Sequence, residues 1–374
     1  MQIPVIIFSM KLAKVFKIIA LILIGIVIVF LFIEITFKIN NKYRISGMTY
    51  DGKLGWRLKK NLFIKKLKDN SNEIYYFSTN NSGFRDRRHR FFKKIDTKRI
   101  IILGDSYTVG GYVSDEEVFV RLFEKILKEK KGDSAKYDVM NVAVSAWATD
   151  QQFLYLKQEG MKYEPNYIFL MIAPNDIRES YVKRFFYLDS KGSLKRNPMS
   201  PIHWKKRFFW FLSNSFCSYQ FLQQKVFNSN YGTFGDIFRH FPVGWEIEGS
   251  DSGDHALFLK KAPGKVKEAY GLFRTLLLKM NGLCIKNNCK LILVVLPTKM
   301  EFGIESNLYE PGKVGKYVRD IALENDILFL DLFPLLASEE DPLDAFISDE
   351  YHFDREGHSF IAKMLYEFFY SKDL

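Results

Sequence analysis

The sequence predicts an α/β domain: a flavodoxin-like three-layer sandwich on a five-stranded parallel sheet, with an N-terminal transmembrane helix and an inserted helical cap. Three observations predict it. Short apolar, β-branched runs alternate with amphipathic helical stretches from Arg99 onward. Those runs are apolar throughout instead of alternating with polar residues, as strands covered on both faces are. Before them, residues Ile18 to Ile33 form an uncharged apolar stretch.

The elements follow in order. Arg99–Leu103 (RIIIL) is a first strand, closed by Gly104. Asp115–Lys130 reads as a helix with Val118, Leu122, Phe123, Ile126 and Leu127 on one face. Asp138–Val142 is a second strand, Asp150–Gly160 a helix and Tyr167–Ile172 (YIFLMI) a third strand. Lys265–Asn287 is a long helix, and Lys290–Leu296 a fourth strand stopped by Pro297. Gly312–Asn325 is helical, Ile327–Leu330 is a short fifth strand, and Arg355–Tyr370 is the last helix. Between the third strand and the long helix lies an aromatic and basic stretch, residues 179–263. A structureless loop of that size does not suit a compact domain, so it reads as a cap inserted over the active face. The stretch Trp204–Phe227 could also lie flat on a membrane surface, though the cap is the favoured reading.

The expected organisation is a tail and anchor at 1–37, a juxtamembrane segment at 38–98 and the α/β domain at 99–374. About twenty apolar residues span a bilayer, and charges at the ends can snorkel, as Lys17 and Glu34 would. A cleaved signal peptide is the alternative, but Phe32-Ile33-Glu34-Ile35 offers no small-x-small site. Lys11, Lys14 and Lys17 precede the span without an acid, which favours an inside N-terminus and an exported α/β domain. Met10-Lys11-Leu12-Ala13-Lys14 looks like an ordinary start, so translation is expected from Met10 and not Met1.

Composition narrows the function. The 374 residues carry 55 Lys and Arg against 43 Asp and Glu, a net charge of +12, which favours anionic surroundings. Residues 85–99 alone hold eight Lys or Arg plus His89, either a solvated basic face or a patch near anionic lipid or an acidic glycan. No nucleic-acid-binding module accompanies this charge, so nucleic acid is not an expected partner. Three cysteines exclude a disulfide scaffold. Without C-x-x-C or paired-histidine spacing, neither a metal nor another cofactor is expected. Cys284 and Cys289 could bridge or remain buried thiols.

Open α/β sheets place ligands at the carboxyl ends of their strands, and polar motifs fall at those ends. Gly104-Asp105-Ser106 follows strand one, Asn141 to Ala146 strand two, Asn175-Asp176 strand three, and Asp349-x-x-His352 strand five. They supply the parts for acyl transfer. A serine hydroxyl needs a base, an imidazole serves near neutral pH, and a carboxylate orients the imidazole. Backbone N–H groups and an Asn amide can hold the developing oxyanion. The G-x-S-x-G elbow, the P-loop and G-x-G-x-x-G are absent from the sequence.

On Gly104-Asp105-Ser106, Asn175-Asp176 and Asp349-x-x-His352, the chain resembles the SGNH/GDSL hydrolase family across about Arg99–Tyr370, apart from the insertion. Leu54–Trp56 and Asn80–Asp86 also look like the segment that precedes this domain in membrane-anchored bacterial members. The resemblance implies Ser106 as nucleophile, His352 as base and Asp349 as its orienting carboxylate. It implies an oxyanion hole from the Ser106 N–H, the Ala146 N–H and the Asn175 amide, with Gly104 and Asp105 bracing the nucleophile loop. His358, six residues after His352, is expected to be structural. Two positions depart from the family pattern. Ala146 stands where Gly is usual and is strained if that site needs φ > 0. Ala173-Pro174 replaces the Gly before Asn-Asp.

The implied activity is a membrane-tethered serine esterase that hydrolyses or transfers acyl groups, such as O-acetyl on a cell-envelope polysaccharide. A lipid esterase or lysophospholipase is the alternative enzyme, and a degenerate scaffold in envelope polysaccharide assembly the alternative outside catalysis. The expected partners are an acylated glycan or lipid ester and the membrane itself.

Overall fold

A run of apolar β-branched residues can be buried on both faces only if helices cover both, and the chain folds accordingly. A computed structural model describes residues 3–39, 47–67, 74–131, 136–197, 208, 211–212, 215–219, 245, 253–304, 307–347 and 352–374. It divides into two compact units, residues 1–48 with 202–240, and residues 49–201 with 241–374.

In the first unit, helix α1 spans Ile3–Ile39. Its stretch Lys14–Ile39 is long and apolar enough to cross a membrane, and is almost wholly exposed. Glu34 is the buried exception: its carboxylate accepts from the backbone N–H groups of Cys217 and Ser218. Phe216 packs edge-on against Phe30, ring centres 5.4 Å apart.

Two small two-stranded sheets precede the main one, β1 (Met48–Asp51) with β2 (Gly55–Leu58), and β3 (Phe63–Leu67) with β4 (Ile74–Ser78), the latter pair antiparallel. The expected juxtamembrane segment thus contributes residues 49–98 to the α/β unit, with Leu54, Trp56, Phe84 and Arg85 all buried.

The main elements are β5 (Thr97–Gly104), α2 (Ser106–Val109), α3 (Phe119–Lys131), β6 (Lys136–Ala143), α4 (Thr149–Gln158), β7 (Tyr167–Ile172) and α5 (Pro174–Lys183). A hairpin follows, β8 (Phe186–Leu188) with β9 (Leu194–Arg196). Then come α6 (Gly264–Lys286), β10 (Lys290–Val295), α7 (Lys313–Glu324), β11 (Leu328–Asp331), α8 (Phe333–Leu336) and α9 (Arg355–Ser371). The five expected strands appear in order, all parallel, in the spatial sequence β6-β5-β7-β10-β11. The chain steps outward from β5 to β6, then crosses back to β7, so the topological switch point lies between the ends of β5 and β7.

Alternate residues of each strand face opposite layers. Ile100 and Ile102 of β5, Phe169 of β7 and Ile292 of β10 join Phe119, Phe123, Ile361 and Phe369 under α3 and α9. Helices α4, α6 and α7 cover the other face. One helix begins later than its periodicity suggested. Asp115–Glu117 form a 3-10 turn closed by a Ser114–Glu117 capping box, and Val118 is extended before α3 starts.

The proposed cap falls largely outside the described residues. Its first residues continue α5 as far as Lys183, and 186–196 form the small hairpin. Cys284 and Cys289 are buried free thiols, the Cys289 thiol donating to the Cys284 carbonyl at 3.4 Å.

Candidate active site

Strand β5 delivers Ser106 to the switch point. Asp105 caps the short α2, accepting from the Tyr107 N–H at 3.0 Å, so Ser106 occupies the first helical position. The first N–H groups of a helix have no partner within it, and that of Ser106 is therefore available to an incoming oxygen. The helix ends at Gly110, which has φ +67° and lies close against the His358 imidazole. A side chain there would meet both the backbone penalty and the ring.

His352 arrives from the opposite end of the chain. A backbone bridge joins Phe346 and Phe353, whose rings stack at 5.0 Å. The Ile347 N–H donates to the His352 carbonyl at 3.0 Å. Asp354 then caps α9, accepting from the N–H groups of Glu356 and Gly357. Held between these fixtures, His352 Nε2 lies 2.9 Å from Ser106 Oγ. Tyr107 and Tyr112 flank the imidazole at 4.9 and 5.3 Å between ring centres. Burial pushes its pKa down to about 4, because removal from water penalises the charged ring. Asp349 lies outside the described residues.

The third motif meets the first. Asn175 Nδ2 donates to Asp105 Oδ2 at 2.8 Å. One amide proton is committed to that bond and the second is free to donate elsewhere. Asp105 is fully buried, and burial raises its pKa to about 6 against the opposing pull of the Asn175 bond. Asp176 closes the turn into α5 by accepting from the Ala173 N–H at 3.0 Å and from Gln152 Nε2 at 3.2 Å. It is also wholly buried, and desolvation together with the nearby Asp105 charge raises its pKa well above the usual range.

The second motif answers the question posed by its alanine. Ala146 has φ +61°, the left-handed region that glycine adopts freely. Its carbonyl accepts from Lys183 Nζ, which also pairs with Glu179 one helical turn back along α5. Lys183 is 0% exposed, and its ammonium sits 5.3 Å from the centre of the Trp56 ring. Trp56 Nε1 donates to the Ser145 carbonyl at 3.1 Å, and Trp147 Nε1 to the Trp56 carbonyl at 2.9 Å. Gln151 Nε2 reaches the Leu54 carbonyl at 2.6 Å. The segment before the sheet thus holds the Ala146 loop on one side.

Its Arg85 holds the nucleophile loop on the other. The buried guanidinium donates to the carbonyls of Val109, Gly110 and Val113 and pairs with Asp115 at 2.7 Å. Sequence reasoning missed Lys183 and Arg85 as supports. Lys183 looks like one more cation on an amphipathic helix, and Arg85 like one member of a basic run. His358 is buried, and its Nδ1 accepts from the Phe119 N–H at 3.3 Å.

No family model matches the sequence, and no curated protein matches it. Solved structures do. The chain is similar to TesA at 10% identity, covering 73% of this chain and 98% of that one, with a TM-score of 0.40. It is similar to the psychrotrophic esterase EstA from Pseudoalteromonas sp. at 12% identity, over 74% and 98% of the two chains, with a TM-score of 0.39. It is also similar to a catalytic mutant of Axe2, an acetylxylan esterase from Geobacillus stearothermophilus, at 14% identity over 72% and 93%, TM-score 0.40.

Proposed function

We propose that the chain is a serine esterase of the SGNH/GDSL hydrolase family, tethered by α1. The observation that carries the reading is the 2.9 Å contact between Ser106 Oγ and His352 Nε2 at the switch point of a parallel sheet. A neutral imidazole at that distance can take the hydroxyl proton as Oγ attacks an ester carbonyl. Asp349, three residues before His352, is assigned to hold the ring. The oxyanion is assigned to the N–H groups of Ser106 and Ala146 and the second amide proton of Asn175, which the Asp105 bond orients. Collapse of the tetrahedral species breaks the ester C–O bond, the imidazolium protonates the departing alcohol, and an acyl-Ser106 ester remains. Water, or an acceptor hydroxyl, then attacks that ester with His352 again as base.

For the substrate we propose an O-acylated envelope polysaccharide. The net charge of +12 suits an acidic glycan, and an apolar N-terminal helix suits work at a cell surface. A fluorophosphonate probe followed by peptide mapping tests the mechanism. We expect an adduct on Ser106 and loss of p-nitrophenyl acetate turnover by at least ~100-fold in Ser106→Ala. Unchanged turnover in that variant, or an adduct elsewhere, overturns the assignment.

A further inference from the structure

The face of the α/β unit opposite the reacting serine carries chemistry that ester hydrolysis does not use. Residues 87–98 border the end of the sheet where β5 begins, whereas Ser106 follows the end where β5 stops. A strand of that length separates the two by roughly 25 Å.

Phe92 is 83% exposed and Ile95 85% exposed. The backbone that presents them is tied down. The Phe91 ring packs at 4.6 Å from Tyr163, the Phe91 carbonyl accepts from Arg99 at 2.7 Å, and Lys93 Nζ donates to Asn166 at 2.9 Å. Around the two apolar side chains, Arg88, Arg90, Lys94 and Lys98 are all exposed, with Asp96 the one acid between them. They adjoin an open groove of about 660 Å³ whose cationic lining includes Arg88, Arg90, Lys94 and Lys136. Among the described residues the carboxylate bordering that groove is Asp138, which is already held by Arg87, His89 and Arg99 and so does not offset the exposed cations.

We propose that this face binds an anionic lipid bilayer. The groove receives headgroup phosphates, and Phe92 and Ile95 enter the boundary between headgroups and acyl chains. Basic side chains flanking exposed apolar ones are the composition of interfacial membrane contacts. An acidic polysaccharide would satisfy the cations but would leave Ile95 in water. Binding of lipid by this face is independent of the hydrolase reading, whereas its consequence for the substrate rests on that reading. With this face on lipid, Ser106 opens away from the bilayer, towards esters in the aqueous layer and not those of the membrane lipids.

The test uses the full chain with bimane on Phe92→Cys, which is selective because the native thiols are buried. Vesicles of phosphatidylcholine alone, or equimolar with phosphatidylglycerol, carry a doxyl quencher near the acyl ester. A second label at Leu343→Cys, on the exposed turn before the His352 loop, reports the opposite face. Expected is quenching at position 92 that needs phosphatidylglycerol and weakens at least ~3-fold in Arg88→Glu/Arg90→Glu/Lys94→Glu, with little at position 343. Should the triple variant melt early, the pair Lys94→Glu/Lys98→Glu serves instead. Equal quenching in both vesicle types, quenching unmoved by charge reversal, or a stronger signal at position 343 overturns the proposal. So does a spectral shift at position 92 given by a soluble acidic polysaccharide and not by the anionic vesicles.

Discussion

At Ala146 a single methyl group stands against the backbone that its position requires. A left-handed conformation costs a non-glycine residue about 1–2 kcal/mol, and the Lys183 bond to the Ala146 carbonyl holds the residue in it. Ala146→Gly should therefore stabilise the protein by about 0.5–1 kcal/mol, the relief being partly offset by greater freedom in the unfolded chain. Urea denaturation measures this, and a destabilised glycine variant would mean that the φ +61° strain is absent. His352 supplies a second expectation. Burial depresses its pKa to about 4, and the base acts only when neutral. Activity should rise with pH along an acid limb whose midpoint lies below the ordinary histidine value of about 6.5. A kcat/KM profile on p-nitrophenyl acetate locates that limb, and a midpoint above 6.5 contradicts the buried, uncharged ring.

At the level of elements, the site depends on where two helices begin. Asp105 starts α2 and thereby places Ser106, and Asp354 starts α9 two residues after His352. The first turn of α9 is packed so closely that a Cβ on Gly357 would lie 2.2 Å from the Ala345 carbonyl oxygen. Neither backbone can yield without shifting the His352 loop. Gly357→Ala should cost about 2–4 kcal/mol and lower kcat more than it raises KM, since the base is displaced and not the substrate surface. A variant with wild-type melting and turnover would show that this contact relaxes freely. The helices and strands were legible in the sequence because each kept one period over its length. The late start of α3 was not, because the Ser114–Glu117 capping box closes a 3-10 turn that has the same composition as a helical first turn.

For the molecule as a whole, pH acts through groups buried far from water. Burial, with the nearby Arg85 charge, lowers the His358 pKa to about 3, below its unfolded value near 6.5. Between those values the unfolded chain binds the extra proton, so this contribution is complete above pH 6.5 and is lost as pH falls through the window. Asp105 and Asp150, raised by burial to about 6 and about 7, act in the opposite sense: their contribution is present below pH 4 and is lost as pH rises. They are common to wild type and variant. The stability gap between wild type and His358→Gln should therefore narrow by about 2 kcal/mol from pH 6.5 to pH 5. Denaturation midpoints at the two pH values check it, and a constant gap would mean that His358 is already protonated in the fold.

Period, charge and motif order were enough to name the five strands in sequence, the apolar N-terminal helix, and Ser106, Asn175 and His352 as residues of one neighbourhood. Each of these signals is local, a run of side chains or a short spacing that the chain carries wherever it is placed. The 2.9 Å approach of Ser106 to His352, the bond from Asn175 to Asp105 and the left-handed angle at Ala146 were decided by tertiary structure. So were the supports at Trp56, Arg85 and Lys183, whose contacts with the Val109, Ser145 and Ala146 carbonyls and between Lys183 and the Trp56 ring join positions 24 to 127 apart along the chain. A side chain's surroundings across that distance depend on which strands become neighbours in the sheet, and no periodicity in one segment encodes its neighbour.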